Sequence, residues 1–554
     1  MVNFQKFKFS LIIFFIVLGT LSCQAQKRVK SELNSMFLQQ YGNEMSGAAM
    51  LIVKDGKTIY QNFTGLSSIA HEVPITKSTR FPIGSITKQF TATSILLLQE
   101  EGRLSTEDFI EEYLPEFPQD RYPVRLRHLL VHTSGIPSGS ESKTLKRSFR
   151  GTSTAQDFRD FIKDEPLLFP PGEQSDYSNN GFILLGLIIE KVSGMSYADF
   201  IKSRIFDPLE MNDTQVGDYT DVIAQRATGY TRDNEGTVIH APHHSALFAA
   251  GAIISTPSDM NKWAEALFSG RIISDKSLAE MLKNRELTNG DLLNMGFGWE
   301  INKIGDQLSY EHSGSQPGYK SYSIYLPKEK LYVITMQNAE YGSPSPLSIK
   351  AAALAIGNPY PAETDVIDLS ESSINHFVGT YLLNGTSERV VGMKDGKLFY
   401  KAPGGLSQSL RAINDSTLVF NNSYRQLKFG KKNNLGFSEM ISSNRIRSAK
   451  GVKTSMDAGE ENKAVSLSIE TMQQYVGTYA IDGLGEMSVF LEKGALFAEP
   501  KGSDKLELIP KGANKFFIEE IGAEIEFTLR NVDGTEVQEM NILLEGNKMK
   551  GLKK

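Results

Sequence analysis

The sequence predicts an α+β domain built on an antiparallel sheet, followed by two small all-β, barrel-like modules. Two observations carry this reading. Up to about residue 362, a hairpin and several helices come first and strand-like runs come last. Beyond it the texture changes to short strands and turns, and it repeats. Phe377-Val-Gly-Thr-Tyr381 recurs as Tyr475-Val-Gly-Thr-Tyr479, and Gly396-Lys-Leu-Phe399 recurs as Gly494-Ala-Leu-Phe497, both at an offset of 98 residues. Chance matches would not share an offset, so the second region is one module present twice.

In chain order, residues 1–25 read as an export signal. Lys6 and Lys8 precede an apolar run from Phe9 to Leu18, and small and polar residues follow to Ala25. The run is too short for a comfortable membrane span. Cys23, the only cysteine, is either the lipid-bearing residue of a lipoprotein or the −3 residue for cleavage after Ala25. Thr20 stands where a lipoprotein signal usually has leucine. Either way the mature chain has no disulfide and is expected to act outside the cytoplasm, periplasmic or lipid-anchored to a membrane.

Residues 27–44 read as a short helix. Ala48 to Val53 and Thr58 to Phe63 flank Asp55-Gly56, a strong hairpin signal. Residues 85–101 are helical, with Phe90 and Ile95 to Leu98 apolar and Gly102 as the stop. A second apolar helix runs from Gly181 to Val192, and another begins at Ser258-Asp259. Ser321 to Leu326 and Leu331 to Met336 form a late hairpin. The domain is thus expected over 27–362, with modules at 368–450 and 465–554 joined by the polar segment Lys450 to Ala464.

At 554 residues the chain is too long for one core. With 40% hydrophobic and 22% charged residues it has globular composition. A net charge of −6 and the lack of a basic stripe argue against nucleic acid. Phosphate-loop, dinucleotide and zinc-protease patterns are missing, so no cofactor or metal is expected.

The chemistry centres on Ser85-Ile-Thr-Lys88. At a helix start, the Ser85 hydroxyl and the Lys88 amine lie one turn apart on one face. Serine needs a neighbouring base, and a desolvated lysine can be that base. The pattern is cheap, since Ser140-Glu-Ser-Lys143 also matches it in a loop-like stretch. Tyr177-Ser-Asn179 adds a phenol able to relay protons beside a lysine, and an amide able to hold a substrate carbonyl. Tyr41-Gly-Asn43 matches that spacing too. His312-Ser-Gly314-Ser315 adds a glycine that lets substrate backbone approach a strand edge. The N–H of Ser315 would pair with that of Ser85 as an oxyanion hole. His128 and His132 are four apart, but Leu129, Leu130 and Val131 between them favour packed, hydrogen-bonded core histidines over a metal pair. His240, His243 and His244 read as a polar loop.

Taken in order, these motifs resemble the serine beta-lactamase and penicillin-binding-protein superfamily, closest to its branch of class C beta-lactamases, D-Ala-D-Ala carboxypeptidases and esterases. Leu129-Leu-Val-His-Thr-Ser-Gly-Ile-Pro137, Ile205-Phe-Asp-Pro-Leu-Glu-Met-Asn-Asp-Thr214 and Ser255-Thr-Pro-Ser-Asp-Met260 look like further landmarks of it. The resemblance covers residues 30–360. It implies a beta-lactamase/transpeptidase-like fold, an antiparallel sheet flanked by helices with Ser85 between two lobes. It also implies that Ser85 forms an acyl-enzyme, that Lys88 and Tyr177 share the proton work, that Asn179 binds the substrate amide, and that His312 orients Tyr177 or a substrate carboxylate.

The expected activity is an exported serine hydrolase acting on D-amino-acid peptides, amides or small esters, a small-molecule or peptide substrate that peptidoglycan could supply. The alternatives are a beta-lactamase and a non-catalytic cell-wall sensor or binding protein. His312-Ser-Gly314 stands where class C enzymes carry Lys-Thr-Gly, and an unperturbed histidine (pKa ~6.5) is mostly neutral at pH 7, which disfavours antibiotic hydrolysis. The C-terminal modules resemble lipocalin-like β-domains that follow such hydrolases, with scaffolding, cleft covering or partner binding as their role.

Overall fold

The computed structural model describes residues 27–554, except 43–44, 116, 118–121, 138–165, 218–220, 234–235, 243–247, 362–364 and short stretches of the C-terminal modules. The export segment with Cys23, the second Ser-x-x-Lys at Ser140–Lys143, and His243 and His244 therefore lie outside the described residues. One compact unit ends at Pro359 and a second begins at Tyr360.

The first unit is α+β. Helix α1 (27–41) buries Leu33, Phe37 and Tyr41, residues four apart on one face. The Tyr41 hydroxyl donates to Gln337 Oε1 at 2.7 Å, so the tyrosine of Tyr41-Gly-Asn43 is structural. Strands β1 (Ala48–Lys54) and β2 (Lys57–Thr64) are joined by Asp55 and Gly56, both at positive φ, as a tight hairpin turn requires. Helix α2 (Thr87–Glu100) is buried on every side from Thr87 to Leu98, which is why its apolar residues show no single stripe. After the short helix α3 (Leu126–Leu130) comes α4 (Asn179–Ser193), equally apolar and buried, capped by Ser178 and stopped by Gly194 at φ 73°. It starts two residues before the expected Gly181, so Asn179 stands in its first turn. Helix α5 (Pro257–Phe268) has Pro257 at its first position, where the missing N–H costs nothing.

Five further strands complete the sheet: β3 (Met295–Gly296), β4 (Trp299–Ile304), β5 (Gln307–Gln316), β6 (Tyr319–Leu326) and β7 (Leu331–Gln337). The order is β3-β4-β5-β6-β7-β1-β2, antiparallel throughout, with β1 inserted beside β7 through Ala48↔Gln337 to Lys54↔Leu331. The domain thus closes by pairing its beginning with its end. Adjacent residues of β6 show the two faces. The pair Tyr322↔Thr335 lies toward helix α6 (Ser345–Ala355), where Thr335 and Ser348 hydroxyls meet at 2.7 Å. Ser323 points the other way and accepts from Gln89 of α2, whose Oε1 accepts from Trp263 of α5.

Two landmark segments brace each other. Asp259 is 2% exposed, and its Oδ2 accepts from the Asp213 N–H (2.8 Å) and the Thr214 hydroxyl (3.0 Å), while Lys262 pairs with Oδ1. Their role in this chain is packing.

The second unit holds two closed eight-stranded barrels, from Gly379–Leu383 to Ser448–Ser455 and from Gly477–Ile481 to Asn547–Lys553. Each is closed because its first strand pairs with its last, as in Leu382↔Val452 and Ala480↔Leu552. The repeated Val-Gly-Thr-Tyr motif now has a mechanical reading. Tyr381 and Tyr479 are fully buried and donate to the carbonyls of Phe377 and Tyr475. Lys453 and Lys553 reach inward to the carbonyls of Val378 (2.8 Å) and Gln474 (3.0 Å). A Cβ on Gly379 or Gly477 would stand 3.1 or 2.4 Å from the Cε of the corresponding lysine, so glycine makes room for that side chain. The closing strand of the first barrel runs to Ser455, past the expected boundary at Lys450: a polar, lysine-rich stretch reads as a linker but pairs as a strand, Tyr381↔Lys453 among its partners.

Candidate active site

Ser85 sits in a single 3-10 turn, Gly84–Ile86, that leads directly into α2. Gly84 has φ +52°, and a Cβ there would stand 2.7 Å from the Ser315 nitrogen. A Cβ on Gly314 would stand 2.0 Å from the Ile83 carbonyl oxygen, and Ser321 Oγ donates to that same carbonyl at 2.9 Å. Two glycines thus let the edge of β5 lie directly against the turn carrying Ser85, with the Ser315 amide beside it. Gly314→Ala should destabilise the fold by about 1–3 kcal/mol through overpacking. A thermal melt within a degree of the wild type would show that the turn and strand can part without cost.

Lys88 is fully buried one turn below Ser85. Its Nζ lies 3.1 Å from Ser85 Oγ and donates to Asn179 Oδ1 (2.8 Å) and the Ala250 carbonyl (2.9 Å), acceptors that leave the serine hydroxyl to face the lone pair of the neutral amine. Burial pushes its pKa well below the usual lysine range, toward the neutral base form. Asn179, with Oδ1 committed to Lys88, keeps its Nδ2 donor turned away from the lysine. The Ala250 carbonyl owes its place to Gly186 of α4, where a Cβ would stand 2.5 Å from both Phe248 and Ala249.

Tyr177 lies just ahead of α4, with Lys88 Nζ 4.8 Å from its ring centroid. Burial of its hydroxyl end holds the phenol above its ordinary pKa; a hydrogen bond with Ser85 works downward, and the Glu300 charge adds to the rise. His312, on β5 and 3% exposed, has its ring 6.5 Å from that of Tyr177. Its Nδ1 is 2.6 Å from the Ser313 carbonyl, which can only accept, so the proton is on Nδ1 and Nε2 keeps a lone pair. Burial and the neighbouring Lys88 push its pKa down to about 4.

The three motifs therefore converge: Ser85, Lys88, Tyr177, Asn179 and His312 share one site, with Gly314 and Ser315 along its edge. His128 and His132 are each committed to a backbone amide, Nδ1 accepting from Arg125 N–H (3.2 Å) and Ser178 N–H (3.0 Å) respectively, as packed core histidines would be. His132 also belongs to the site, which its apolar neighbours concealed: its ring stacks on Tyr177 at 4.2 Å. Phe182 and the Ala250 carbonyl are further neighbours that no motif announced. His240 ends a strand, Val238–His240, with its ring against Tyr230.

The family described as Beta-lactamase matches residues 35–357. A penicillin-binding protein of Bacillus subtilis (strain 168) is 30% identical over 404 residues, 69% of this chain and 89% of the relative. Among solved structures, the octameric penicillin-binding protein homologue from Pyrococcus abyssi superposes with a TM-score of 0.53 at 26% identity, over 77% of this chain and 99% of its own. The D-amino acid amidase from Ochrobactrum anthropi SV3, complexed with L-phenylalanine amide, gives 0.50 at 26% identity, over 60% of this chain and 99% of its own.

Proposed function

The chain belongs to the beta-lactamase family, and on that premise we propose that it is a serine hydrolase whose Ser85 forms an acyl-enzyme with D-amino-acid amides, peptides or small esters. The observation that carries this reading is the buried Lys88 amine 3.1 Å from Ser85 Oγ, with the Tyr177 ring beside that amine, its centroid 4.8 Å from Nζ. Ser85 Oγ attacks the substrate carbonyl carbon as its proton passes to Lys88. The N–H groups of Ser85 and Ser315 receive the oxyanion, and the Asn179 amide donates to a substrate carbonyl. Tyr177 carries the proton to the leaving nitrogen or oxygen, and water then releases the acyl group by the reverse relay.

His312 narrows the substrate. A neutral imidazole offering a bare Nε2 accepts from an N–H and gives a carboxylate no cation to bind. That favours an amide or ester over a β-lactam or a peptide with a free carboxyl end. A D-amino-acid amide should be turned over with kcat/KM at least about tenfold above nitrocefin, and a fluorescent penicillin should leave an adduct on the peptide carrying Ser85. Rapid nitrocefin turnover would instead make the protein a beta-lactamase; adduct on another residue would end the Ser85 reading.

The part of the acid limb that belongs to His312 should lie near pH 4. The neutral form of His312 is the working one, it prevails above its folded pKa of about 4, and activity falls as pH drops through that value. A limb at pH 6–7 that His312→Gln leaves in place belongs to Lys88, the other group that must be neutral; one that the substitution removes would mean that His312 is solvated in the working enzyme. Residues 1–25 would export the chain. Mass analysis of the mature N-terminus distinguishes lipid-modified Cys23 from cleavage after Ala25, and an intact Met1 would remove the export role.

A further inference from the structure

Tyr177 occupies an irregular segment, residues 174–178, with no strand or helix of its own to hold it, and it is 39% exposed. A proton relay needs its hydroxyl fixed to a fraction of an ångström, because small misplacements cost large factors in rate. One residue holds this segment at three successive positions. The His132 carbonyl accepts from the Asp176 N–H at 2.9 Å. Its Nδ1 accepts from the Ser178 N–H at 3.0 Å. Its ring stacks on the Tyr177 ring between them, centroids 4.2 Å apart and planes 27° from parallel. Three successive residues, 176 to 178, are thus gripped by the backbone, ring nitrogen and ring face of His132.

His132 itself is 2% exposed and holds φ +58°, a left-handed conformation that a residue with a Cβ keeps only where its surroundings impose it. Those surroundings are the end of α3 and the Phe182 ring 5.2 Å away on α4. Because Nδ1 is an acceptor, the imidazole is neutral with its proton on Nε2, and it adds no charge beside Lys88.

We propose that His132 is a positioning residue that fixes Tyr177 against Ser85; this rests on the reading of Ser85 as nucleophile and Tyr177 as proton relay. His132→Asn in the full chain tests it. Asparagine tolerates left-handed backbone and offers an oxygen to the Ser178 N–H, but it has no ring to stack. The second-order rate of Ser85 labelling by a fluorescent penicillin, and kcat on a D-amino-acid amide, should fall between about tenfold and a hundredfold, with KM changed less than about twofold. In a Tyr177→Phe background the same substitution should cost less than about twofold, since the two residues act as one. A folded His132→Asn protein labelled at the wild-type rate overturns the proposal, and so does an equal loss in the Tyr177→Phe background. Should His132→Asn fail to fold, His132→Phe keeps a flat ring and gives up the Nδ1 acceptor and the Nε2–H. Its loss should be smaller than that of Tyr177→Phe and should vanish in the Tyr177→Phe background; a loss that persists there overturns the proposal. Failure of the functional reading is distinct: wild-type protein would then show no label at Ser85, and the positioning role falls with it.

Discussion

Ser85→Ala should abolish hydrolysis, lowering the rate by about 10,000-fold or more, while leaving the melting temperature nearly unchanged. The hydroxyl is the only atom lost. The 3-10 turn around it is set by Gly84, by the Ser321 hydroxyl on the Ile83 carbonyl and by the fully buried α2 that follows, none of which uses Ser85 Oγ. Lys88 loses one of three hydrogen-bond partners and keeps Asn179 and Ala250. Stability should therefore move by no more than about 1 kcal/mol, one ordinary hydrogen bond. Rate and melting point together make the measurement: a variant that melts normally yet retains over a hundredth of wild-type turnover would remove Ser85 from the reaction.

Lys88→Met should cost about a thousandfold in acylation, the usual reach of a general base. Methionine matches the length and apolar stem, so the cavity stays filled. Removing the amine leaves Asn179 Oδ1 and the Ala250 carbonyl without their donor, at about 1–3 kcal/mol for each that stays dry. It also removes an amine whose burial is unfavourable, and the two effects offset in part. Lys88→Arg separates charge from basicity. Guanidinium keeps the charge but does not give up its proton, so it should be as inactive as the methionine variant; an active arginine variant would show that Lys88 serves only as a cation. The linkage has a definite sign. Lys88 has a folded pKa below its unfolded value, so between the two the unfolded chain binds more protons and wild-type stability rises with pH. That rise, followed by urea midpoints, should be absent in the methionine variant.

Much of this site is legible in the sequence because motif order constrains three-dimensional convergence. Ser85, Tyr177 and His312 lie far apart in the chain, and each pattern alone has a decoy or a packing role. Their joint order points to one site. His132 shows where such reading stops. Flanked by Leu129, Leu130 and Val131, it reads as core, and it is core, but which neighbour a buried ring faces is set by tertiary packing. Strand β4 is hidden for another reason: Trp299 to Asn302 alternates, but Lys303 puts two polar residues in a row before Ile304 and cuts the pattern to four residues, although Trp299, Ile301 and Ile304 are buried. In the barrels, the repeat shows two copies of a unit, and it is the resemblance to lipocalin-like domains that supplies the barrel-like expectation the structure bears out. Closure is the pairing of a first strand with an eighth, and no local pattern encodes it.

That closure also bears on how such a chain is assembled and inherited. A strand at a sheet margin offers unsatisfied amides and carbonyls to any other chain, and proteins spend charges and prolines to blunt it. A ring of eight strands has no margin. Copying, losing or exchanging a whole ring therefore exposes no sticky backbone and asks for no compensating change elsewhere. The 98-residue echo is what one such gene-level duplication would leave behind, with the buried tyrosine and the glycine–lysine contact retained because each copy must seal itself.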